Sequence, residues 1–478
     1  MSNLPIAVIG AGPVGLAAAA HLIERGLNPL VLERGPEAGH TLTAWSHVRV
    51  FSPWWLNIDR AARSLLEETG WRSPDAEALP TGGELVRDYL APLERHPKLA
   101  PHLTFGAEVV AITRRGLDKV TNTDRDAAPF VIRYRDAAGH EEQVEARAVI
   151  DASGTWFAPN PLGSDGIAVP GEREVADRIA YGIPDVLARE RDRYAGARVL
   201  VAGSGHSAIN AVLDLLKLQE SAPETRVVWA LRRNRLERLW GGGLNDQLPA
   251  RGQLGLAAKS AIDAGRLQVL APFAARRIAR AGNGLRVTGR VNGHDFDGNF
   301  DRIVVATGFR PDLAMLRELR VELDPAVEAP PALAPLIDPN LHSCGTVPPH
   351  GVVELTQPEK DFYIVGAKSY GRAPTFLMAT GYEQVRSVVA ELAGDHAAAR
   401  NVQLVLPETG VCNSSAITGE DESASCCGGP AVADDSACCV ADEVAKAETG
   451  AGCGCSAAPP PVSLTTATKS GGCCAPAR

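Results

Sequence analysis

The stretch Ile6-Ala7-Val8-Ile9-Gly10-Ala11-Gly12-Pro13-Val14-Gly15 places an apolar run directly before a turn with the spacing G-x-G-x-x-G. The apolar run, the glycine spacing and the alanine-rich segment that follows predict a buried strand, a tight turn and a helix. Such glycines let the backbone approach a pyrophosphate, which the free N–H groups at the helix N-terminus then stabilise. The stretch therefore predicts a dinucleotide-binding turn, with Gly10, Gly12, Pro13 and Gly15 in the site.

A second turn of the same kind, Gly203-Ser204-Gly205-His206-Ser207-Ala208, follows the apolar run 199–202. One such turn can be a coincidence, but two in the correct strand-to-helix context predict two dinucleotides. We predict an α/β fold with two Rossmann-like dinucleotide-binding domains, in which the first turn binds FAD and the second binds NADPH. The residues predicted to bind the second cofactor at this turn are Gly203, Ser204, Gly205, His206 and Ser207.

Two positions that follow predicted strands refine the cofactor prediction. Glu33 ends the second strand of the first unit, about 20 residues beyond the glycines, where an acid hydrogen-bonds an adenosine ribose. We include the neighbouring Arg34 in the FAD site; the alternative for Glu33 is a solvated surface carboxylate. In the second unit the corresponding strand ends in Arg232 and Arg233, which can hold a 2′-phosphate and so favour NADPH over NADH. The alternative is a pair of solvated arginines.

Two buried strands end in small residues and frame the second unit. The first leads into the segment 151–156 and the second into the segment 306–312. The economical interpretation is an NADPH-binding domain, 161–310, inserted into a FAD-binding domain made of 1–160 and 311–400. The further cofactor-binding residues predicted from these segments and from the last strand and helix are Ser153, Gly154, Thr307, Gly308, Gly366 and Thr375.

The charge balance excludes some classes of partner. The chain has 478 residues, with 48 basic and 57 acidic side chains and a net charge of -9. This balance does not favour nucleic acid or an anionic membrane. No apolar run approaches the roughly 18 residues that a membrane span needs, and the first strand begins too early for a signal peptide. We expect a soluble, cytoplasmic protein.

The cysteines are concentrated at one end of the chain. Cys344 is the only cysteine before Val411, and the other nine lie between Cys412 and Cys474. From residue 407 the sequence has no aromatic residue and few aliphatic ones, so we predict a disordered tail over 407–478. Closely spaced thiols on a flexible chain suit a soft ion such as trivalent arsenic or antimony, Cu(I) or Hg(II). The predicted ligands are Cys426, Cys427, Cys438, Cys439, Cys453, Cys455, Cys473 and Cys474; the alternative is a low-complexity extension without selected ligands.

The cysteine positions also bear on the reaction. A disulfide reductase needs two cysteines placed against the flavin, and the chain before the tail has only Cys344. The remaining common fate of a reduced flavin is reaction with dioxygen. For the active site we consider Trp54 as a wall of the flavin pocket and Asn57 as a catalytic donor to a peroxide or carbonyl oxygen. Core packing for Trp54 and turn capping for Asn57 are the alternatives.

The arrangement resembles the two-dinucleotide flavoprotein monooxygenases, which include flavin-containing monooxygenases, Baeyer–Villiger enzymes and N-hydroxylases. The resemblance covers about residues 1–400 and rests on both glycine turns and the two strand ends. More narrowly, the runs 179–185 and 369–376 resemble flavin monooxygenases of arsenic-resistance operons. The fingerprint F-x-G-x-x-x-H of such monooxygenases is replaced here by Val169-Pro170-Gly171-Glu172-Arg173-Glu174-Val175, and Ala367 stands where an acid often follows the last motif's glycine.

The resemblance implies FAD, NADPH, dioxygen and a small organic or organometalloid substrate, with a role in arsenic resistance. By analogy with similar flavoproteins we also consider a homodimer. One alternative is an NADPH-dependent reductase of a disulfide or thiol-bound metalloid that uses the tail cysteines. Another is a metalloid-binding flavoprotein without enzymatic activity.

Overall fold

The computed structural model describes residues 4–234, 246, 248–341, 347–374, 376–404 and 406–407. All of them belong to one compact body. A separate body formed by Glu420–Ala433 and Cys439–Arg478 lies entirely outside the described residues. Within the described residues, no helix has both the length and the apolar character required to cross a bilayer.

The strands are, in chain order, β1 (Ile6–Ile9), β2 (Pro29–Glu33), β3 (Leu103–Phe105), β4 (Glu108–Arg114), β5 (Phe130–Arg135), β6 (Glu141–Ala146), β7 (Ala148–Asp151), β8 (Ile179–Tyr181), β9 (Arg198–Ala202), β10 (Arg226–Ala230), β11 (Gln268–Leu270), β12 (Phe273–Ala281), β13 (Gly284–Val291), β14 (His294–Phe300), β15 (Arg302–Val305) and β16 (Phe362–Ile364).

The helices are α1 (Pro13–Glu24), α2 (His40–Thr43), α3 (Trp54–Asn57), α4 (Arg60–Glu68), α5 (Gly82–Leu85), α6 (Ala91–Glu94), α7 (Arg191–Tyr194), α8 (His206–Ser221), α9 (Pro249–Asp263), α10 (Ala334–Ile337), α11 (Val352–Leu355), α12 (Met378–Leu392) and α13 (His396–Arg400).

The first sheet is parallel, with the strand order β16-β7-β1-β2-β3. Its central strand β1 is fully buried, as an apolar strand covered on both faces must be. Helices α1 and α12 pack in the same hydrophobic core, where the run of alanines at 17–20 brings the two helices close together. Because parallel strands all point the same way, the carboxyl ends of β1, β2, β7 and β16 meet at one edge of the sheet.

The second sheet is also parallel, with the order β11-β10-β9-β15-β8, and helix α8 packs against it in a separate core. Three-stranded antiparallel sheets accompany each parallel sheet, β4-β5-β6 in the first half and β12-β13-β14 in the second. The prediction of an α/β fold with two Rossmann-like units is therefore confirmed. Helix α12 begins at Met378, shortly after the turn that follows β16.

Two crossing segments connect the sheets and are bonded to each other. The rings of Trp156 and Phe309 stack with their centroids 5.1 Å apart. The N–H of Asn160 donates to the carbonyl oxygen of Gly308 at 2.9 Å, and the N–H of Arg310 donates to that of Ala158 at 3.0 Å. These paired segments, which follow β7 and β15, fix where the chain leaves one parallel sheet and where it returns.

A buried ionic cluster lies near the C-terminal end of α1, the helix that follows the first glycine turn. His21 of α1 contacts Asp59, which caps α4, with 3.0 Å between Nε2 and Oδ2, and both side chains are at most 3% exposed. Burial alone lowers the pKa of His21, but the charge of Asp59 and hydrogen bonds to Asp59 and Glu24 outweigh it, so the pKa is raised. The bond from His21, with help from Arg60, lowers the pKa of Glu24 to about 2.

The raised pKa of His21 predicts how stability depends on pH. Its stabilising charge is fully present below the unfolded-state pKa, about 6.5, and is lost as the pH rises through the raised folded-state pKa. We expect His21→Gln to lower the free energy of unfolding at pH 6 by about 2 kcal/mol, since a charged hydrogen bond is lost. The deficit should shrink toward pH 9 in urea unfolding. His140→Gln, on an exposed loop, should cost nothing at either pH; a deficit at residue 21 independent of pH would contradict the assignment.

Candidate functional site

The first glycine turn has the backbone geometry that a dinucleotide requires. Gly10 adopts φ +101°, and a Cβ atom there would lie 2.9 Å from the carbonyl oxygen of Ala152. A Cβ atom on Gly15 would overlap the carbonyl oxygen of Gly10, so this position must also lack a side chain. At Gly12, by contrast, nothing lies within 4 Å of the Cβ position, and this residue begins α1 without a side-chain cap. The turn is thus open where a phosphate would approach the helix N-terminus.

Glu33 lies directly beside this turn. Its carboxylate accepts hydrogen bonds from the N–H groups of Ala11 and Gly35, each at 2.6 Å, and only 8% of the residue is exposed. Each carboxylate oxygen keeps acceptor capacity for a hydroxyl group, so the arrangement fits the predicted ribose contact. The structure also excludes the alternative of a solvated surface carboxylate, because Glu33 is buried and bound to the turn itself.

Arg34, the residue after Glu33, has different partners. Its guanidinium lies 4.2 Å from the centre of the Phe157 ring and forms an ion pair with Glu108. It also lines a groove of about 460 Å³, together with Pro36, Phe105, Gly106, Glu108, Arg135, Asp136 and Ala137. The groove begins at the carboxyl ends of β2 and β3.

The loop after β7 carries a buried polar cluster. Ser153 donates through Oγ to Oδ1 of Asp151 at 2.6 Å and accepts from Nζ of Lys368 at 3.0 Å. Lys368 also pairs with Oδ2 of Asp151 at 2.7 Å, and both of these side chains are at most 1% exposed. Gly154, which follows, has φ +68° and open space at its Cβ position. The sequence predicted Ser153 and Gly154 but not Lys368, because its partners Asp151 and Ser153 lie more than 200 residues earlier in the chain.

The end of β16 is held by a second buried network. Gly366, with φ +68°, donates its N–H to Oε1 of Gln384 at 2.7 Å, and its Cβ position is 3.4 Å from Val14 of the first turn. Gln384 in turn donates to Nε2 of His350 at 3.1 Å, while His350 Nδ1 is 3.0 Å from the carbonyl oxygen of Pro348. Burial lowers the pKa of His350, which keeps the ring neutral and able to accept from Gln384. Gly366 thus lies beside the first glycine turn, and its contact with a cofactor stays a prediction.

The second glycine turn repeats the geometry of the first. Gly203 has φ +134°, and a Cβ atom there would overlap the carbonyl oxygen of Ala306. Gly205 begins α8 without a side-chain cap and has nothing within 4 Å of its Cβ position. Ser204 and His206 are exposed, so this turn is accessible to a ligand as well.

His206 connects the two halves of the site. Its ring lies 5.0 Å, centre to centre, from that of Phe51, which belongs to the first unit. Desolvation within this contact and the positive charge of Arg251 lower the pKa of His206, although the residue remains open to solvent. A ring that stays neutral at physiological pH can act as hydrogen-bond donor or acceptor beside the turn. Ser207, the next residue of α8, is partly buried.

The residues predicted to select the second cofactor lie beyond the end of β10. Arg232 and Arg233 are both exposed, and Arg232 makes one long contact, 3.5 Å, from Nη1 to the carbonyl oxygen of Ser164. Thr307 donates to the carbonyl oxygen of Asn160 at 3.1 Å, and Gly308 has φ +91°. Thr307 and Gly308 both lie in the crossing segment that follows β15. The pairing of this segment with the one that follows β7 therefore explains their positions.

Two sequence-based interpretations need correction. Asn57 is 1% exposed and donates its amide hydrogens to the carbonyl oxygens of Ser52 and Pro53, at 2.7 and 2.9 Å. Its amide oxygen accepts from the Ser52 hydroxyl at 3.0 Å, so the group is occupied within its own turn and does not fit a catalytic donor. Trp54 is 4% exposed and belongs to the hydrophobic core, which leaves little of its ring to form a pocket wall.

Several predicted positions cannot be placed in this arrangement. Thr375 and the candidate metal ligands of the tail lie outside the described residues, as does Cys344. Among the residues that are described, no group of three or more histidine, cysteine, aspartate or glutamate side chains could hold a metal ion.

Several solved enzyme structures share this fold. Bacillithiol disulfide reductase of Bacillus cereus is 19% identical, with a TM-score of 0.60, over 82% of this chain and 99% of its own. The cadaverine monooxygenase of desferrioxamine biosynthesis from Erwinia amylovora, solved with FAD, is 12% identical, with a TM-score of 0.58, over 85% and 98%. The ornithine hydroxylase of Pseudomonas aeruginosa is 16% identical, with a TM-score of 0.55, over 82% and 99%. At these identities the likeness shows the fold.

One characterised relative matches at the sequence level. A ferredoxin–NADP reductase from Thermus thermophilus is 26% identical over 275 residues, 57% of this chain and 63% of the relative. The match thus spans less than two thirds of that relative's length. These findings agree with FAD and NADPH as the cofactors, whereas the link to arsenic stays a prediction. A family model matches residues 7–334, and the chain therefore belongs to the pyridine nucleotide-disulphide oxidoreductase family.

Proposed function

We propose that this protein is an NADPH-dependent FAD monooxygenase that acts on a small organic or organometalloid substrate. In this proposal, residues 1–160 and 311–400 hold FAD and residues 161–310 hold NADPH. Bound FAD would supply the redox chemistry that transfers two electrons from NADPH to dioxygen, of which one oxygen atom would enter the substrate and the other would leave as water. The protein itself binds both dinucleotides, orients them and controls the access of water and substrate.

The geometry at the carboxyl end of the first sheet supports FAD there. Gly12 leaves open space at the start of α1, and Glu33 is already fixed beside it by the N–H groups of Ala11 and Gly35. A pyrophosphate against the helix N-terminus and a ribose against the carboxylate are the two contacts that this arrangement suits. The second turn offers the same opening at Gly205, and the exposed Arg232 and Arg233 supply positive charge for the 2′-phosphate of NADPH.

One observation carries the choice of dioxygen as electron acceptor. Before Val411 the sequence has a single cysteine, Cys344, so the part of the chain that matches the family model has no pair of thiols to form a redox-active disulfide. A reductase of disulfides requires such a relay close to the flavin. Without it, the two electrons of reduced FAD go most directly to a small diffusible acceptor, and the proposal assigns that role to dioxygen.

The cysteines of the tail favour a second candidate function. Three adjacent pairs and a Cys-Gly-Cys lie between Cys426 and Cys474, and thiols at such spacing form disulfides or bind soft ions. A tail that received electrons from the flavin would make the protein a reductase of a disulfide or of a thiol-bound metalloid. In either case we propose that the tail binds a soft metalloid, which would connect the protein to arsenic resistance. The homodimer stays a prediction.

The two open glycines provide a matched test of the cofactor assignment. We expect Gly12→Ala to weaken FAD binding by at least tenfold and Gly205→Ala to weaken NADPH binding similarly, because each methyl group occupies the space above a helix N-terminus. Neither change creates a clash in the free protein, so the melting temperatures of the cofactor-free variants should match the parent. Flavin fluorescence and NADPH titration measure the two affinities. Loss of FAD from Gly205→Ala would contradict the assignment of one cofactor to each turn.

The arginine pair tests the choice of nicotinamide. Arg232→Ala with Arg233→Ala should raise KM for NADPH by roughly tenfold and leave KM for NADH nearly unchanged, because only NADPH carries the 2′-phosphate. Steady-state oxidation of both nucleotides measures the ratio. Arg277→Ala with Arg280→Ala, exposed on β12, removes the same charge as a control. Equal effects on both nucleotides would show that the arginine pair does not read the phosphate.

The fate of the electrons separates the two candidate functions. The protein is reduced with one equivalent of NADPH without oxygen, then mixed rapidly with oxygenated buffer. The monooxygenase proposal expects a transient species whose absorption differs from both oxidised and reduced flavin. It also expects NADPH oxidation to survive removal of residues 407–478. Reoxidation in one phase, together with loss of turnover in the truncated protein, would instead establish the tail-dependent reductase.

A further inference from the structure

The least expected feature of the first unit is a buried lysine at its cofactor edge. Lys368 lies in the turn Gly366–Tyr370 that follows β16, and its side chain is 1% exposed. Burying an ammonium group is costly unless it is paired and hydrogen-bonded. Asp151 supplies the counter-charge, 2.7 Å from Nζ, and Ser153 accepts a hydrogen bond at 3.0 Å. Lys368 and Asp151 therefore form a buried ion pair with no net charge.

The pair stands directly next to the first glycine turn. Asp151 is the last residue of β7 and pairs in register with Ile9, the residue before Gly10. The loop that Lys368 and Asp151 hold through Ser153 passes so close to Gly10 that a Cβ atom there would be 3.2 Å from the Ser153 Cα atom. A movement of this loop therefore displaces the backbone of the glycine turn. A net charge on the Lys368–Asp151 pair acts over a short distance on any charged group bound at the turn.

We propose that Lys368 is a positioning residue for the cofactor of the first turn, and that with Asp151 it sets the affinity for the dinucleotide's anionic diphosphate through the net charge of the pair. This inference rests on the proposed binding of FAD. The intact pair is neutral and holds Ser153 in place. Without the lysine charge the pair is negative and repels the diphosphate, whereas without the aspartate charge it is positive and attracts it.

The expected effects are large enough to measure. A unit charge acting over about 10 Å at an effective dielectric constant of about 20 changes an equilibrium constant by roughly tenfold. The interior position of the pair limits screening by salt. We therefore expect Lys368→Met to raise the Kd for FAD by roughly tenfold. Asp151→Asn, which retains an acceptor for the Ser153 hydroxyl, should lower Kd by a similar factor.

A purely structural role would give a different pattern. Each single variant leaves one buried charge without its partner, so both should lower the melting temperature of the cofactor-free protein. If the pair only stabilised the fold, both would also weaken FAD binding, in proportion to that loss of stability. The inference therefore requires opposite effects of the two variants on Kd, against effects of the same sign on the melting temperature.

The double variant allows the test to be made even if the single variants fold poorly. Lys368→Met combined with Asp151→Asn restores electrical neutrality, so its cofactor-free melting temperature should recover and its Kd should return to within a few-fold of the parent. Lys360→Met removes the same formal charge from an exposed residue just before β16 and should leave Kd unchanged.

FAD titration of the cofactor-free protein by fluorescence quenching measures Kd, and thermal unfolding measures stability. A parent protein that fails to bind FAD would overturn the proposed function itself. If the parent binds FAD, a double variant that folds but binds FAD as poorly as Lys368→Met would overturn the charge argument alone. Single variants that both weaken binding, or that leave Kd unchanged, would also overturn it.

Discussion

The close crossing of Gly10 by the loop after β7 is the constraint on which the first unit depends. β1 lies between β2 and β7, and α1 must start immediately beyond it for its N–H groups to face the carboxyl edge of the sheet. This is feasible only because neither Gly10 nor Gly15 carries a side chain, since a Cβ atom at either would run into backbone. The same residues that permit the packing thereby create the opening at Gly12. Fold and binding site are consequences of a single steric requirement.

The second unit meets the same requirement with different neighbours. Gly203 takes the place of Gly10, and the carbonyl oxygen of Ala306, at the end of β15, takes the place of the loop after β7. The segment after β15 is also one of the two crossing connections. The second glycine turn therefore packs directly against this connection. The Phe51–His206 contact adds a direct link between the units. The surroundings of the second glycine turn are therefore shaped partly by a residue of the first unit.

Several buried charged groups of the first unit are paired or hydrogen-bonded. Glu33 accepts hydrogen bonds from two backbone N–H groups at the turn. Lys368 and Asp151 form an ion pair at the end of the neighbouring strand β7. His21, in the last turns of α1, pairs with Asp59. Buried polar groups without partners are expensive, so each pair keeps its elements in one relative position. Helix α1 is thus held both near its start and, through His21, near its C-terminal end.

The glycine spacing, the apolar runs before it and the acid after β2 were enough to establish two Rossmann-like units and the place of Glu33. Those properties follow from local sterics and strand-to-helix periodicity, which the order of residues encodes directly. Sequence reasoning was wrong about Asn57 and Trp54 because burial and hydrogen-bond partners depend on what other segments bring alongside. The Lys368–Asp151 pair joins residues 217 positions apart and became visible only when parallel pairing brought the ends of β7 and β16 together. Local chain geometry thus decided the fold, whereas long-range packing decided which side chains meet at the site.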